Sequence, residues 1–374
     1  MPQEHLLIIG SSEQNPDLFY ATKFIAPDPF VFLRIRGRKY ILISDLEIDR
    51  ARKQASVHSV VSTSSLAGRF RKKFGRVPSL SDLVMLFLKD HRVKALTIPS
   101  DFPYSLALNL KKGGIRLACA KIPFFPDRMK KTGTEISAIV RALRATEKAM
   151  AEAVKILRAS TIRKGLLYSD DTPLTSESLR RVIHHTLLEH DCSGERTIVS
   201  CGRHSIDPHD QGSGPLRANK SIIFDIFPRD CRSLYYADFS RTLVRGKASP
   251  KLRAMFKSVS EAQEIAFGLI RDGVPSGKIH NAVLKHFEKS GFETGLKNGR
   301  MQGFFHSTGH GLGLEVHEPP CIGPGEDILK KGHVVTVEPG LYYQGVGGVR
   351  LEDLVLVTKN GCRNLTRFPK FLEI

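Results

Sequence analysis

Four acidic residues and a histidine, far apart in the chain, have the types and the surroundings that are typical of metal ligands. Asp225 and Asp238 lie in a strand-like stretch, a glycine-rich run with three histidines spans 306–317, and Glu338 and Glu352 lie in two further strand-like stretches. Four carboxylates can neutralise two dications, and an imidazole adds a directional ligand. The ordered set Asp, Asp, His, Glu, Glu therefore indicates a site for two divalent metal ions.

The two aspartates flank a polar turn at residues 229–233. A hairpin centred on residues 231–232 places Asp225 and Asp238 directly opposite each other, with Cβ atoms about 5 Å apart. Two ionised carboxylates at that distance repel each other, and a cation between them relieves the repulsion. The alternative interpretation is a pair of strand-end aspartates in turns.

Three histidines, His306, His310 and His317, occur within the run 306–317. Glycines on both sides of His310 allow close approach of the backbone to a neighbouring group. A single histidine is more often structural than a ligand. Three histidines set among glycines favour a functional site.

Glu338 and Glu352 each lie in an alternating, strand-like pattern. Glu338 comes directly before a Pro-Gly turn. The period of two in a strand puts Arg350 and Glu352 on the same face. The simpler interpretation of that pair is a surface salt bridge, and the functional interpretation is a metal ligand supported from behind by Arg350.

The bulk composition is that of a folded protein rather than a fibrous or membrane one. The 374 residues suggest two domains, and the 41% hydrophobic and 25% charged fractions are ordinary. No apolar run is long enough to span a membrane, and the first apolar run is too short for a secretory signal. Six scattered cysteines without a CxxC pair favour a reducing compartment. We therefore expect a cytoplasmic enzyme with no membrane partner.

The elements that must position these residues fall into two groups. The first third of the chain alternates short strand-like runs with helical patterns up to about residue 125, and a segment rich in proline and charge follows at 123–133. This predicts a smaller α/β domain over residues 1–131. The predicted elements are strands near 5–9, 29–35 and 39–44, helices from Asp45 and Ser79, and a strand from Ala95.

The remaining residues, 132–374, predict an α+β domain in which long helices are interleaved with antiparallel hairpins. The helix at 134–160 has the strongest pattern, with Thr134 as its predicted N-cap. The other predicted helices cover 176–189, 251–268 and 278–289, and the predicted strands cover 196–201, 221–227, 235–244, 333–338 and 348–357.

With these motifs in place, the chain resembles the creatinase/prolidase/methionine aminopeptidase family, the "pita-bread" metallopeptidases. It is most similar to the Xaa-Pro aminopeptidase (aminopeptidase P) and Xaa-Pro dipeptidase branch. The resemblance rests on the motifs around the five acidic and histidine positions and, less specifically, on residues 17–51. It implies an α+β protein in which a C-terminal pita-bread metallopeptidase domain follows a smaller, creatinase-like α/β domain.

The resemblance assigns roles to individual residues. It makes Asp238 and Glu352 the ligands that bridge two metal ions, and it places His209, His306 and His317 on the substrate side. Arg350 matches the arginine two residues before the last glutamate. The implied metal ligands are Asp225, Asp238, His310, Glu338 and Glu352.

One departure from the family pattern lies between the two aspartates. Their spacing is thirteen residues where the family usually has eleven, and Phe227 replaces a glycine. Because side chains alternate with a period of two, two added residues keep both aspartates on one face. The ligands are therefore expected to be retained, with a changed pocket wall beside Asp225.

The implied activity is a metal-dependent hydrolysis of the N-terminal Xaa-Pro bond of peptides, through a hydroxide that bridges the two metals. Glu338 would take the proton of the water, and His317 would stabilise the oxyanion, while His209 and His306 would hold the substrate. Mn²⁺ is the expected metal, with Co²⁺ or Zn²⁺ as alternatives. Peptides with proline at the second position are the expected substrates.

Several alternatives remain open. An Xaa-Pro dipeptidase (prolidase) is the nearest one, while methionine aminopeptidase and creatinase fit less well. A non-catalytic pita-bread scaffold that binds protein or nucleic acid is more remote. The net charge of +19, with basic residues densest at 69–76, is the observation that supports this scaffold alternative. A solvated basic face explains the charge equally well, so a nucleic-acid partner is not expected.

A homo-oligomer, dimer or tetramer, is expected from the resemblance.

Overall fold

The computed structural model describes residues 5–120 and 123–374. The chain forms two compact units, which divide between Arg128 and Met129. No helix in these described stretches has the length and apolar character needed to cross a membrane.

The first unit is built on one six-stranded mixed sheet with the order β4-β3-β2-β1-β5-β6. Its β1–β2 and β2–β3 pairs are antiparallel, and its remaining pairs are parallel. The elements, in chain order, are β1 (His5–Gly10), α1 (Pro16–Thr22), β2 (Phe30–Ile35), β3 (Arg38–Ile43), α2 (Ile48–Gln54), β4 (Ser59–Ser62), α3 (Thr63–Phe74), α4 (Leu80–Asp90), β5 (Ala95–Ile98), α5 (Tyr104–Lys112) and β6 (Arg116–Cys119).

Helices cover both faces of this sheet, which explains why its central strands are apolar on both sides. Alternate residues of β1 enter two different cores: Leu7 packs with α3, α4 and α5 on one face, and Leu6 and Ile8 pack with α1 and α2 on the other. The first unit is therefore the predicted α/β layer structure.

The second unit combines long helices with short antiparallel strands. Its helices are α6 (Gly133–Ala159), α7 (Ser176–Glu189), α8 (Pro250–Leu269) and α9 (Ser276–Lys289). Its strands are β7 (Thr161–Arg163), β8 (Leu166–Ser169), β9 (Thr172–Pro173), β10 (Cys192–Ser193), β11 (Ile198–Cys201), β12 (Ile222–Asp225), β13 (Arg229–Asp230), β14 (Ser240–Leu243), β15 (Gly295–Lys297), β16 (Arg300–Gln302), β17 (Gly309–Gly311), β18 (Glu318–Ile322), β19 (Val334–Val337), β20 (Gly340–Tyr343), β21 (Gly347–Arg350), β22 (Asp353–Val357) and β23 (Cys362–Asn364).

Two antiparallel sheets and one hairpin of this unit matter for the candidate site. They are the three-stranded sheet β11-β12-β14, the five-stranded sheet β18-β17-β19-β22-β23 and the hairpin β20-β21. Apolar residues of α8 and α9 pack against β19, β21 and β22 in a continuous core. The helices therefore form a rigid support behind the strands that carry the predicted ligands.

The four helices predicted in this unit all form, and their ends differ from the predicted ends by at most two residues. The helix α6 is capped by Thr132, not by the predicted Thr134. The Thr132 side chain accepts from the backbone N–H of Glu135, and the Glu135 carboxylate accepts from the backbone N–H of Thr132. This reciprocal capping box satisfies two backbone donors and starts the helix at Gly133.

The predicted register of the aspartate hairpin is wrong by two residues. Asp225 pairs with Ser240, not with Asp238, and the isolated bridge between Arg229 and Tyr236 has the same register. The turn is therefore centred one residue later than expected. Because a shift of two residues preserves the direction of the side chains, Asp225 and Asp238 still lie on one face, as diagonal neighbours.

A pair of glycine-to-alanine substitutions tests this packing. An added Cβ at Gly348 in β21 would lie 1.9 Å from the Ser205 carbonyl oxygen, whereas an added Cβ at Gly68 in α3 meets nothing within 4 Å. We expect Gly348→Ala to lower the free energy of unfolding by about 1–3 kcal/mol through overpacking. Gly68→Ala should raise it by about 0.5–1 kcal/mol, because alanine favours the helix. Urea denaturation measures both, and an unchanged stability of Gly348→Ala would contradict the packing at this strand.

Candidate metal centre

The two sheets meet where the predicted ligands lie. Glu352 follows β21 and forms an isolated antiparallel bridge with Ser240 of β14. Asp225 ends β12, and Glu338 comes directly after β19. The predicted ligands therefore sit at the ends of strands or beside them, in backbone that is hydrogen-bonded to neighbouring strands.

Close approach of β17 to β19 places His310. A Cβ at Gly309 would lie 2.0 Å from the Thr336 carbonyl oxygen, so glycine is required there. The His310 backbone N–H donates to the Thr336 hydroxyl at 3.1 Å. These contacts fix the histidine strand against the strand that leads into Glu338.

The side chains of Asp238, His310 and Glu352 come together in the interior. Each is buried and offers one ligand atom, and these three atoms lie within 4.8 Å of one another. His310 Nε2 lies 3.7 Å from Asp238 Oδ2 and 3.4 Å from Glu338 Oε1. Four of the five predicted ligands therefore surround a space that suits a small cation.

Asp225, the fifth predicted ligand, is held by Arg350. Its Oδ2 accepts from Arg350 Nη2 at 2.7 Å, and both side chains are largely buried. Arg350 Nε also donates to the Ser240 hydroxyl, which donates to Glu352 Oε2. One guanidinium thus orients two of the predicted ligands, as expected for a group that supports metal ligands.

Two carboxylate oxygens at this centre fit a metal ion. Asp225 Oδ1 and Glu352 Oε1 are buried and have no hydrogen-bond partner among the described residues. Buried polar atoms in folded proteins are normally paired, so two unpaired anionic oxygens in one cluster need a compensating group. A set of carboxylate oxygens and one imidazole nitrogen fits divalent cations such as Mn²⁺.

Burial and mutual repulsion disfavour the ionised forms of the carboxyl groups of Asp238, Glu338 and Glu352. Burial, followed by the charges of Asp225 and Glu338, raises the pKa of Asp238 well above its usual range. Burial and then the charge of Asp238 likewise raise the pKa of Glu352. Burial raises the pKa of Glu338 to about 8, although Arg350 opposes the shift. In the metal-free protein, Asp238, Glu338 and Glu352 therefore keep their protons to higher pH than free carboxyl groups do.

The pKa of His310 shifts in the opposite direction, and its ring is therefore a neutral predicted ligand. Burial, reinforced by His317, lowers the pKa of His310 to about 3. Its Nδ1 lies 3.1 Å from the Gly311 carbonyl oxygen, which favours a proton on that nitrogen. The neutral ring then presents Nε2 as a lone pair toward the carboxylates.

The three predicted substrate-side histidines take different positions. The exposed His317 ring lies edge-on to the His310 ring, with centroids 4.3 Å apart. Burial lowers the pKa of His306 to about 3, with smaller contributions from Arg350 and His209. His209 is exposed in the loop after β11, and burial, followed by the electrostatic effect of His209, lowers the pKa of His317. The three histidines therefore interact electrostatically, since His209 affects the pKa values of His306 and His317, and both of these affect the pKa of His310.

Tyr342 is a site residue that the sequence did not reveal. Its hydroxyl lies 3.1 Å from His306 Nε2 and accepts from Arg350 Nη1 at 3.0 Å. Its ring is buried in the hairpin β20-β21. In the sequence this tyrosine is one of several aromatic residues in a strand-like run, so no local signal distinguishes it.

Comparison with known proteins places this centre in a family. Residues 137–359 match the family described as metallopeptidase family M24. The chain belongs to metallopeptidase family M24. The family resemblance inferred from the motifs is confirmed, and the site lies entirely within the matched range.

Similar proteins extend the comparison to both units. The chain is 34% identical over 178 residues to an Xaa-Pro dipeptidase of Pyrococcus furiosus, covering 47% of this chain and 48% of the relative. It is 28% identical over 284 residues to an Xaa-Pro dipeptidase of Pyrococcus horikoshii, covering 75% of each. The chain thus spans about half the length of the first of these relatives.

The fold is shared with solved structures over nearly the whole chain. An X-Pro aminopeptidase from Thermotoga maritima matches with a TM-score of 0.83 at 23% identity, covering 100% of this chain and 98% of that one. An Xaa-Pro dipeptidase from Bacillus anthracis matches with a TM-score of 0.83 at 24% identity, covering 99% and 95%. The predicted fold class, a pita-bread domain after a smaller α/β domain, is confirmed.

The raised pKa of Glu338 predicts how stability depends on pH in the metal-free protein. The ordinary pKa of this group is 4.5, and the folded protein holds its proton up to about pH 8. The folded state therefore binds more protons than the unfolded state in this window, so the free energy of unfolding falls as pH rises from about 4.5 to about 8. Glu338→Gln should make this slope shallower, by at most about 1.4 kcal/mol per pH unit.

Urea denaturation of both proteins in a chelating buffer at several pH values measures the two slopes. Saturation with Mn²⁺ should remove the decline in the wild type, because metal binding requires the deprotonated carboxylates. Identical slopes for the metal-free wild type and Glu338→Gln would contradict the pKa assignment.

Proposed function

We propose that this protein is a peptidase that hydrolyses the N-terminal Xaa-Pro bond of peptides with the help of two divalent metal ions. The main support is the buried cluster of Asp238, His310 and Glu352, with Glu338 and Asp225 beside it and with two carboxyl oxygens that have no partner among the described residues. Family membership and the names of similar proteins support the choice of reaction. In this proposal the catalytic domain is residues 132–374 and the N-terminal domain is residues 1–131.

Five residues would hold the metal pair, and four of them bring negative charge. Asp238 and Glu352 would contribute to holding both ions. Mn²⁺ is favoured because three or more oxygen ligands suit a harder ion, with Co²⁺ and Zn²⁺ as alternatives. When bound, the metal pair activates a water molecule and polarises the scissile carbonyl. The proposed ligands are Asp225, Asp238, His310, Glu338 and Glu352.

The remaining chemistry falls to side chains around the cluster. Glu338 accepts the proton of the attacking water and passes it toward the leaving proline nitrogen. This transfer is needed because the amine leaves as a protonated group. His317, exposed beside His310, donates to the oxyanion that forms on the scissile carbonyl. Arg350 holds Asp225 in place throughout.

His306 and His209 are proposed to hold the substrate. His306 is anchored by Tyr342 through Nε2 and lies against the Ser307 carbonyl oxygen through Nδ1, at 2.8 Å. Arg350 Nη1 donates to the carbonyl oxygen of Pro208, directly before His209, at 3.2 Å. The same arginine thus connects the metal ligands with the loop that carries His209.

A dipeptidase restricted to Xaa-Pro dipeptides is the second candidate function. Several similar proteins are named Xaa-Pro dipeptidase, which favours this alternative. The two functions share the metal site and differ in what closes the pocket beyond the proline. We further propose a homo-oligomer in the cytoplasm, acting on peptides with proline at the second position.

Glu338→Ala tests the site. We expect turnover to fall by at least about 10³-fold, because the change removes a metal ligand and the proton acceptor together. The measurement is kcat on an Xaa-Pro peptide with saturating Mn²⁺. Glu326→Ala, which removes an exposed glutamate of a loop, is the matched control and should retain full activity. Near-normal turnover in Glu338→Ala would contradict the assignment.

Substrate length tests the reaction. We expect the Mn²⁺-loaded protein to release the first residue from an Xaa-Pro-Yaa tripeptide, with or without cleavage of an Xaa-Pro dipeptide. Chromatographic detection of free amino acids measures both. Cleavage of the dipeptide alone would establish the dipeptidase, and cleavage of neither would contradict both functions and favour the scaffold alternative.

A further inference from the structure

Gln263 of α8 places a polar group behind the metal centre. Its side chain is fully buried. Its Nε2 donates to the carbonyl oxygen of Val337 at 2.8 Å and to the carbonyl oxygen of Leu351 at 3.2 Å. One amide therefore joins two backbone segments that lie 14 residues apart in the chain.

These two carbonyl groups immediately precede two of the proposed metal ligands. Val337 is the residue before Glu338, and Leu351 is the residue before Glu352. The backbone N–H groups of the same glutamates are fixed elsewhere, by the carbonyl oxygen of Thr308 at 2.8 Å for Glu338 and of Ser240 at 3.0 Å for Glu352. Gln263 adds the contact that both glutamate segments share.

The chemistry of the partners determines which way the amide faces. Both partners are carbonyl oxygens, which only accept, so the NH₂ group must point toward them. The Gln263 carbonyl oxygen, Oε1, then points away and has no hydrogen-bond partner in the part of the chain that the structure describes. Burying this oxygen without a partner is unfavourable, so packing alone does not explain a glutamine here.

The neighbours of Gln263 on its helix strengthen this argument. Val259, Ala262 and Ala266 are fully buried in the apolar core between α8, α9 and the strands. An apolar side chain of the same volume would continue that surface. Instead this position carries a glutamine, whose NH₂ group reaches the backbone of two ligand-bearing segments.

We propose that Gln263 is a positioning residue that fixes Glu338 and Glu352 relative to each other for binding of the metal pair. The inference rests on the proposed metal site and adds a residue that contacts neither metal nor substrate. Two glutamate ligands of one metal pair need a defined separation, and hydrogen bonds to the backbone beside them supply it. Loss of such supporting contacts typically weakens metal binding 10- to 100-fold.

The test compares Gln263→Met with the wild type. Methionine keeps the length and most of the volume of glutamine but donates no hydrogen bond. We expect the affinity of the metal-free protein for Mn²⁺, measured by titration calorimetry, to fall about 10- to 100-fold. Gln263→Asn is the milder second variant, because its shorter amide reaches only one of the two carbonyl groups, and it should give an intermediate loss.

Ser258→Ala is the matched control on the same helix. Ser258 is buried and bonds to His286 of α9, at 3.1 Å, away from the glutamates. Its removal should lower the stability of the metal-free protein while leaving Mn²⁺ affinity within about twofold of the wild type. Urea denaturation of each metal-free variant separates lost stability from lost metal affinity.

The visible absorption of bound Co²⁺ gives a second measurement that reports ligand geometry. We expect the Co²⁺ bands to shift in Gln263→Met and to stay in place in Ser258→Ala. Wild-type Mn²⁺ affinity together with wild-type Co²⁺ bands in Gln263→Met would overturn the proposal. Because neither measurement uses a substrate, a protein that binds metal but cleaves no Xaa-Pro peptide would contradict only the proposed function.

Discussion

The second unit must hold several buried, mutually repelling carboxylates close together, and the rest of its structure depends on this constraint. Asp225, Asp238, Glu338 and Glu352 share one interior region, and burial disfavours the charged forms of Asp238, Glu338 and Glu352. A buried charge without a partner is strongly destabilising, and the Arg350 guanidinium contacts only one of the four carboxylates directly. Two divalent cations would supply the missing positive charge and use the unpaired oxygens. The fold therefore holds four acidic side chains whose negative charge would be poorly compensated by protein groups alone.

Such an arrangement persists because rigid elements enforce it. The acidic residues sit at the ends of strands in two different sheets, and the bridge between Ser240 and Glu352 joins those sheets. The α8 and α9 core supports the strands from behind, and the Gln263 amide connects the two glutamate segments to that support. Asp225 Oδ1 and Glu352 Oε1 accept no hydrogen bond from the described residues, so these oxygens are available for metal.

The sequence revealed the parts of this structure that local patterns encode. The limits of α7 agree with the prediction, because a capping threonine and helical spacing mark the segment, whereas α1, α3 and α5 were missed. The hairpin register was wrong because polar residues fill the turn and do not specify its centre. The five proposed ligands were identified from motifs, but Tyr342 and Gln263 act through contacts with residues distant in sequence, so no local pattern marks them.

The central claim is that this acidic cluster binds two metal ions. Anomalous diffraction from crystals grown with Mn²⁺, recorded near the manganese absorption edge, tests it most directly. The account predicts two peaks per chain, about 3.5–4 Å apart, between Asp238 and Glu352. A single peak, or peaks at surface carboxylates with none in this cluster, would contradict it.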